Sequence, residues 1–151
     1  MIFRAAYPCP YGHLIISHNG SAVCSIRIGA QPDFSQEPGP VSDLAAAQIL
    51  EYLAGKRKTF DFPLMVQGTD FQKSVWHALQ QIPYAQRRTY GQIAQALGRP
   101  GAARAVGQAC NRNPLWIVIP CHRVVGSNSG LTGYAGGIAL KQALLELEQQ
   151  H

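Results

Sequence analysis

The chain has 151 residues, 46% of them hydrophobic and 14% charged, enough apolar material for a core in one compact domain or two small lobes, and too short for a multidomain machine. No apolar run approaches the roughly 18 residues of a membrane span, no basic-then-apolar leader opens the sequence, and four scattered cysteines lack a Cys-x-x-Cys pair, so a cytoplasmic protein with free thiols is expected. The net charge of +5 is uneven: residues 1–70 carry five basic and six acidic side chains, residues 71–151 eight and two.

The first lobe, 1–68, opens with alternating patterns in His13-Leu14-Ile15-Ile16-Ser17 and Ala22-Val23-Cys24-Ser25-Ile26-Arg27-Ile28. Asn19-Gly20 between them suits a tight turn, which predicts an antiparallel pair. Residues 30–40 hold three prolines and no periodicity and read as a connector. A helix is expected over 43–54, with Ser42 as its cap, Leu44, Ala47, Ile49, Leu50 and Leu53 at helical spacing, and Gly55 in the left-handed position beyond its end. Cys9, His13, His18 and Cys24 lie near one another in sequence, but their spacing matches no zinc-finger pattern, so no metal site is expected.

The second lobe, 69–151, is mostly helical. Thr69-Asp70-Phe71-Gln72 is a capping box ahead of Val75, Trp76 and Leu79, with a stop at Pro83. Thr89-Tyr90-Gly91-Gln92 is a second box, leading into Ile93, Ala94 and Leu97 before Gly98-Arg99-Pro100 breaks the helix. A third helix is expected over 102–110. Two short helices about a Gly-containing turn fit a helix-turn-helix, a pattern that is also common in plain helical bundles. At about 100° per residue the third helix gathers Ala102, Val106, Ala109 and Cys110 on one side and Arg104, Gln108 and Asn111 opposite, with Gly107 nearby. Gly107 costs roughly 1 kcal/mol against alanine in mid-helix, so close helix packing or close approach of an outside backbone should offset it. Beyond Asn113-Pro114, the run Leu115-Trp116-Ile117-Val118-Ile119 reads as a buried strand or extended segment, and a last amphipathic helix is expected over 138–149. Lys73, Arg87, Arg88, Arg99, Arg104, Arg112, Arg123 and Lys141 can draw a polyanion, or form a solvated basic face.

The apolar run ends in Pro120-Cys121-His122-Arg123. A thiol at the mouth of a core, beside an imidazole and a guanidinium that could favour the thiolate, is nucleophile chemistry, but the pair alone is a weak signal and favours an inert half-buried cysteine. The wider string is more specific. Phe71-Gln72 with Val75-Trp76, Ile82-Pro83, Tyr90-Gly91-Gln92-Ile93-Ala94, Gly98-Arg99-Pro100, Ala102-Ala103-Arg104-Ala105-Val106-Gly107, Asn113-Pro114, Pro120-Cys121-His122-Arg123-Val124 and Gly133-Tyr134-Ala135-Gly136-Gly137 closely resemble the O6-alkylguanine-DNA alkyltransferase family. The match runs through 71–148 in order and spacing; 1–70 match weakly, chiefly at Pro10-Tyr11-Gly12. The family often has Gly-Glu or similar after the Ile-Pro, where Ile82-Pro83 is followed here by Tyr84-Ala85-Gln86.

The resemblance implies an α/β fold with a small ribonuclease-H-like antiparallel lobe and a helical lobe bearing a helix-turn-helix. It implies direct, single-turnover repair, in which an alkyl group passes irreversibly from O6-alkylguanine in DNA, with O4-alkylthymine a further candidate, to Cys121. His122 would activate that cysteine through a water, oriented by Glu148, and Asn113 would brace the loop. Val124 and Tyr134 would line the base pocket with Cys110, and Trp116 would narrow its wall against bulky groups. Tyr90 would give a proton to guanine N3, and Arg104 would fill the stack after base flipping. Ala103, Gly107, Gln108, Tyr90 and Arg123 complete the expected contacts to double-stranded DNA, made through the minor groove by a monomer without cofactor. The rival readings are a lesion-flagging relative, which lacks the acceptor cysteine, and a thiol hydrolase, whose oxyanion device is not readable here.

Overall fold

Three strands and one helix build the first of two units. The computed structural model describes residues 1–127, 130 and 133–151, and these divide into Met1–Gln67 with Pro114–Trp116, and Gly68–Asn113 with Ile117–His151. In the first unit β1 (Phe3–Cys9), β2 (Gly12–His18) and β3 (Val23–Gly29) form an antiparallel sheet in that order. Leu14 pairs with Tyr7 and with Ile28, and Ile16 with Ala5 and Ile26. The Asn19 side chain closes the β2–β3 turn by accepting from the Ser21 and Ala22 amides at 2.9 and 2.8 Å. The sequence pattern did not reveal β1: its Ala-Ala pair and Pro8 break the alternation, and proline is tolerated because the strand lies at a sheet edge. Gly12 turns the chain from β1 into β2 at φ +121°, where a Cβ would stand 2.6 Å from the Gly29 carbonyl oxygen.

The helix α1 spans Pro40–Leu53, three residues earlier than expected, because Pro40 fits the first helical position and Gly39 is the cap. Ser42 sits inside the first turn, where its hydroxyl accepts from the Gly39 amide at 2.9 Å. Gly55 takes the left-handed position, φ +76°. Ile49 and Tyr52 from this helix are buried completely, as are Leu14 and Ile16 from the sheet, and burial of each such side chain contributes about 1.5–3 kcal/mol. The outer edge of β3 is covered twice, by Pro63 and Met65 bonding to Val23 and by Pro114 and Trp116 bonding to Ile26.

The second unit holds α2 (Asp70–Gln80), α3 (Tyr90–Ala96), α4 (Ala103–Asn111) and α5 (Ile138–Gln150). Both capping boxes form: Thr69 and Thr89 accept from the amides of Gln72 and Gln92, whose side chains bond back to the cap amides. The Trp76 indole donates to the Ala109 carbonyl at 2.9 Å and ties α2 to α4. Two two-residue strands, β4 (Arg88–Thr89) and β5 (Val124–Val125), pair in parallel.

One expectation, a strand through the apolar run, fails here. Residues 115–119 form no strand; Leu115 makes an isolated bridge to Ile26 and the chain then turns at Ile117, whose φ is +75°. Cys121–Arg123 is a single 3₁₀ turn, so its neighbouring side chains do not alternate between opposite faces as those of an extended chain would. Among the described residues no helix is long and apolar enough to cross a membrane, and no group of three or more His, Cys, Asp or Glu could hold a metal ion.

Candidate active site

The 3₁₀ turn is the centre of the second unit's polar interior. It follows Pro120, its first amide bonds back to Ile119 O at 2.8 Å, and Cys121, His122 and Arg123 are all buried. Cys121 is 3% exposed. Asn113 reaches it from the end of α4: Nδ2 donates to the Ile119 carbonyl at 2.8 Å and to the Cys121 sulfur at 3.1 Å. Burial pushes this thiol up to about 11, against the pull of the Asn113 hydrogen bond and the Lys141 charge. The sulfur is therefore a protonated thiol at rest, and its proton must leave before it attacks carbon.

The group that takes a proton lies one residue on. His122 Nε2 lies 2.7 Å from Glu148 Oε2, in a pair whose side chains are both fully buried. Glu148 also accepts from Arg123, Nε to Oε1 at 2.9 Å and Nη2 to Oε2 at 3.0 Å, and from the Ala85 amide at 3.0 Å. With the carboxylate as acceptor, His122 carries its proton on Nε2 and its basic lone pair on Nδ1. Burial holds His122 below the usual histidine range; Glu148 pulls it back up, while Arg123 and Lys141 push it further down.

Arg123 was expected among the DNA contacts. Its guanidinium is instead buried, engaged by Glu148 and by the Ile82 carbonyl at 2.8 Å. Lys141, counted above among the basic groups facing a polyanion, is completely buried in α5 and donates to the Val124 carbonyl. Its ammonium, rather than His122 or Arg123, is the cation whose charge favours the Cys121 thiolate. Sequence reasoning missed this role, although Lys141 lies on the same helical stripe as Leu144, Leu145 and Glu148. It also missed Ala85, whose amide reaches Glu148 because the residue adopts φ +66°, a conformation that glycine takes freely and alanine does not.

On the surface of this unit a cleft of about 550 Å³ is lined by Tyr90, Gly91, Ala103, Arg104, Gly107, Gln108, Asn111, Ser127 and Gly133. Arg104, Gln108 and Asn111 are exposed, whereas Val106, Ala109 and Cys110 are buried, the division that the helical phase predicts. A Cβ on Gly107 would meet Tyr90 ring carbons at 3.8 Å, ordinary contact, so packing inside the unit does not demand glycine there. Tyr90 lines the cleft and lies beside Lys141. Its hydroxyl lies 3.4 Å from where a Gly133 Cβ would stand, and the Lys141 ammonium is 5.8 Å from its ring centroid.

The remaining expected residues divide. Val124 and Tyr134 are buried in this unit, and burial, followed by the Cys121 charge, raises the Tyr134 phenol well above its ordinary value. Cys110 is buried too, and is pushed up to about 12 by burial and then by Cys121. Trp116 belongs with the first unit, half-buried, its amide bonded to Ile26 O at 3.1 Å. A larger cleft of about 640 Å³ between α2 and α3 is lined by residues including His77, Arg88 and Gln92, and of the groups named above it includes Ile82, whose carbonyl holds Arg123.

The chain is similar to known proteins in sequence and in fold. Residues 70–150 match the family described as 6-O-methylguanine DNA methyltransferase, DNA binding domain. The methylated-DNA–protein-cysteine methyltransferase of Mycobacterium tuberculosis strain H37Rv is 45% identical over 155 residues, covering 99% of this chain and 93% of the relative. That of Methanosarcina acetivorans is 57% identical over 104 residues, covering 69% of this chain and 67% of the relative. The crystal structure of Mycobacterium tuberculosis OGT in complex with DNA superposes with a TM-score of 0.89 at 44% identity, covering 97% of this chain and 92% of that one.

Proposed function

Because this chain belongs to the 6-O-methylguanine DNA methyltransferase family, and so repairs alkylated DNA by moving the alkyl group to a protein cysteine, we propose that the acceptor is Cys121 and that the transfer happens once per molecule. The observation that carries this reading is the convergence of Asn113 and Lys141 on one thiol beside a His122–Glu148 pair. The thiol proton passes by way of a water to His122 Nδ1, the sulfur attacks the alkyl carbon, and the carbon–O6 bond breaks. Guanine leaves with the electron pair of that bond and takes a proton at N3 from the Tyr90 hydroxyl, and the proton held on His122 returns to Tyr90. A thioether is not cleaved by water at a useful rate, so the protein is spent.

A buried sulfur cannot meet a stacked base, so the nucleotide rotates out, at a few kcal/mol. Val124 and Tyr134 line the pocket that receives it, with Cys110 behind. We read α3 and α4 as a helix-turn-helix that enters the minor groove of double-stranded DNA. The 550 Å³ cleft and the low profile of Ala103 and Gly107 support this, since neither residue holds the groove away and Gly107 has no packing reason to be glycine. Arg104, exposed at the rim, fills the stack, and phosphate contacts supply affinity without sequence choice. The first unit, a three-stranded sheet with one helix, is read as the ribonuclease-H-like lobe of a cytoplasmic monomer that needs no cofactor.

The test is Cys121→Ser assayed against O6-methylguanine DNA. The variant should bind that DNA as the natural chain does and transfer nothing; residual transfer would place the acceptor elsewhere.

A further inference from the structure

We propose that Arg123 is a positioning residue of the transfer reaction, which acts through Glu148 to keep His122 a neutral imidazole with its lone pair on Nδ1. The inference rests on the reading of Cys121 as alkyl acceptor. The 3₁₀ turn directs His122 and Arg123 to the same carboxylate on α5, where four N–H groups converge: His122 Nε2, Arg123 Nε and Nη2, and the Ala85 amide. Each is a donor. Protonating Glu148 would set a hydrogen against one of them, so the carboxylate stays an anion and His122 keeps its proton on Nε2.

The charge arithmetic then decides the imidazole's state. A buried carboxylate with histidine as its sole partner draws a proton onto the ring, because imidazolium and carboxylate together are neutral. Here the guanidinium has already neutralised Glu148, and a further proton would leave a net positive charge in a site with no exposed side chain surface at His122 or Glu148. Only the neutral ring can take the Cys121 proton. One further charged group acts on His122 in the same direction. Lys141, from α5, carries a second buried positive charge that pushes His122 down; Tyr84, from the loop after α2, faces Arg123 rather than His122, its ring 5.6 Å from the guanidinium. Cys121 shares the turn as a protonated thiol, and the buried residues of α2, Val75, Trp76 and Leu79, are uncharged. The arginine fork spans both carboxylate oxygens while Nη1 holds the Ile82 carbonyl; a lysine would lose that hydrogen-bond set but keep the positive charge that neutralises Glu148. A direct role on DNA phosphate is incompatible with 7% exposure.

The test is the pH dependence of single-turnover methyl transfer in the natural chain, Arg123→Lys, Arg123→Met and the double variant Arg123→Met/Glu148→Gln. Arg123→Met leaves Glu148 to charge His122, so the acid limb of the profile should move up by about one pH unit or more, with about tenfold slower transfer on that limb per unit. The double variant, with both charges gone, should return the limb toward its natural position, and Arg123→Lys should keep it there. A rate reduced by one factor at every pH, with no movement of the limb, would overturn the proposal. Should the methionine variant not fold, ¹⁵N NMR of His122 in the natural chain decides: the ring must be neutral at neutral pH with its proton on Nε2, and an imidazolium or an Nδ1-protonated ring refutes it. Absence of transfer to Cys121 in the natural chain at every pH would instead refute the reading of the acceptor.

Discussion

Asn113 serves two acceptors with one amide nitrogen, the Ile119 carbonyl and the Cys121 sulfur. It thereby fixes both the shape of the loop and the position of the nucleophile, and it opposes the burial that raises the thiol. In Asn113→Ala the thiol should rise further and transfer should slow about tenfold, the worth of about 1.4 kcal/mol. DNA affinity should be unchanged. Stopped transfer assays with a parallel binding titration check this, and equal losses in both would contradict it. The residues legible in the sequence were those whose chemistry announces itself within a specific string: Cys121, His122 and Asn113, with Glu148 at its spacing on the last helix. Arg123, Lys141 and Ala85 were not, because their work depends on tertiary neighbours. A guanidinium reads as a surface charge until Glu148 is seen opposite it, and a backbone amide has no letter of its own.

At the scale of elements, Ala85 is the feature with the clearest energetic signature. A left-handed alanine costs roughly 1–2 kcal/mol, tolerated here because its amide bonds Glu148 and its carbonyl accepts from Gln149 Nε2 at 2.9 Å. Ala85→Gly removes the strain at an entropic cost of roughly 0.5–1 kcal/mol, so a net gain of about 0.5–1 kcal/mol is expected in chemical denaturation with transfer retained. A loss of stability would show that the methyl group is packed rather than strained. The elements that local chemistry specifies were readable: two capping boxes, the Asn19-Gly20 turn, and helices bounded by Pro83 and by Gly98-Arg99-Pro100. Those that depend on pairing were not. β1 has neither alternation nor a central place in the sheet, β4 and β5 are too short to carry a period, and the apolar run before Pro120 is turned at Ile117 by a backbone conformation that a β-branched residue rarely adopts.

Across the whole molecule, two of the eight basic groups of the C-terminal half, Arg123 and Lys141, are spent inside the core, so the basic surface is smaller than composition implies. The same burial sets a pH window for stability. His122 is held low, so below its ordinary 6.5 the unfolded chain binds a proton that the folded chain refuses, and stability falls as pH drops. Cys121 and Cys110 are pushed up to about 11 and about 12, so above 9.0 the unfolded chain sheds protons that the folded chain keeps, and stability falls again as pH rises. Urea midpoints should be highest between 6.5 and 9.0 and lower at about pH 5 and pH 10; a flat profile would contradict the assignment of these groups as buried and neutral.

The claim on which the account turns is that the buried sulfur of the Pro-Cys-His-Arg turn accepts carbon from a lesion and keeps it. Intact-mass spectrometry with peptide mapping, after incubation with excess O6-methylguanine duplex, tests it most directly. The account predicts one methyl group per chain, on the peptide carrying Cys121 and on no other cysteine, with no further demethylation of DNA once every chain is modified. An unmodified chain, a methyl on Cys9, Cys24 or Cys110, or continued turnover would contradict it.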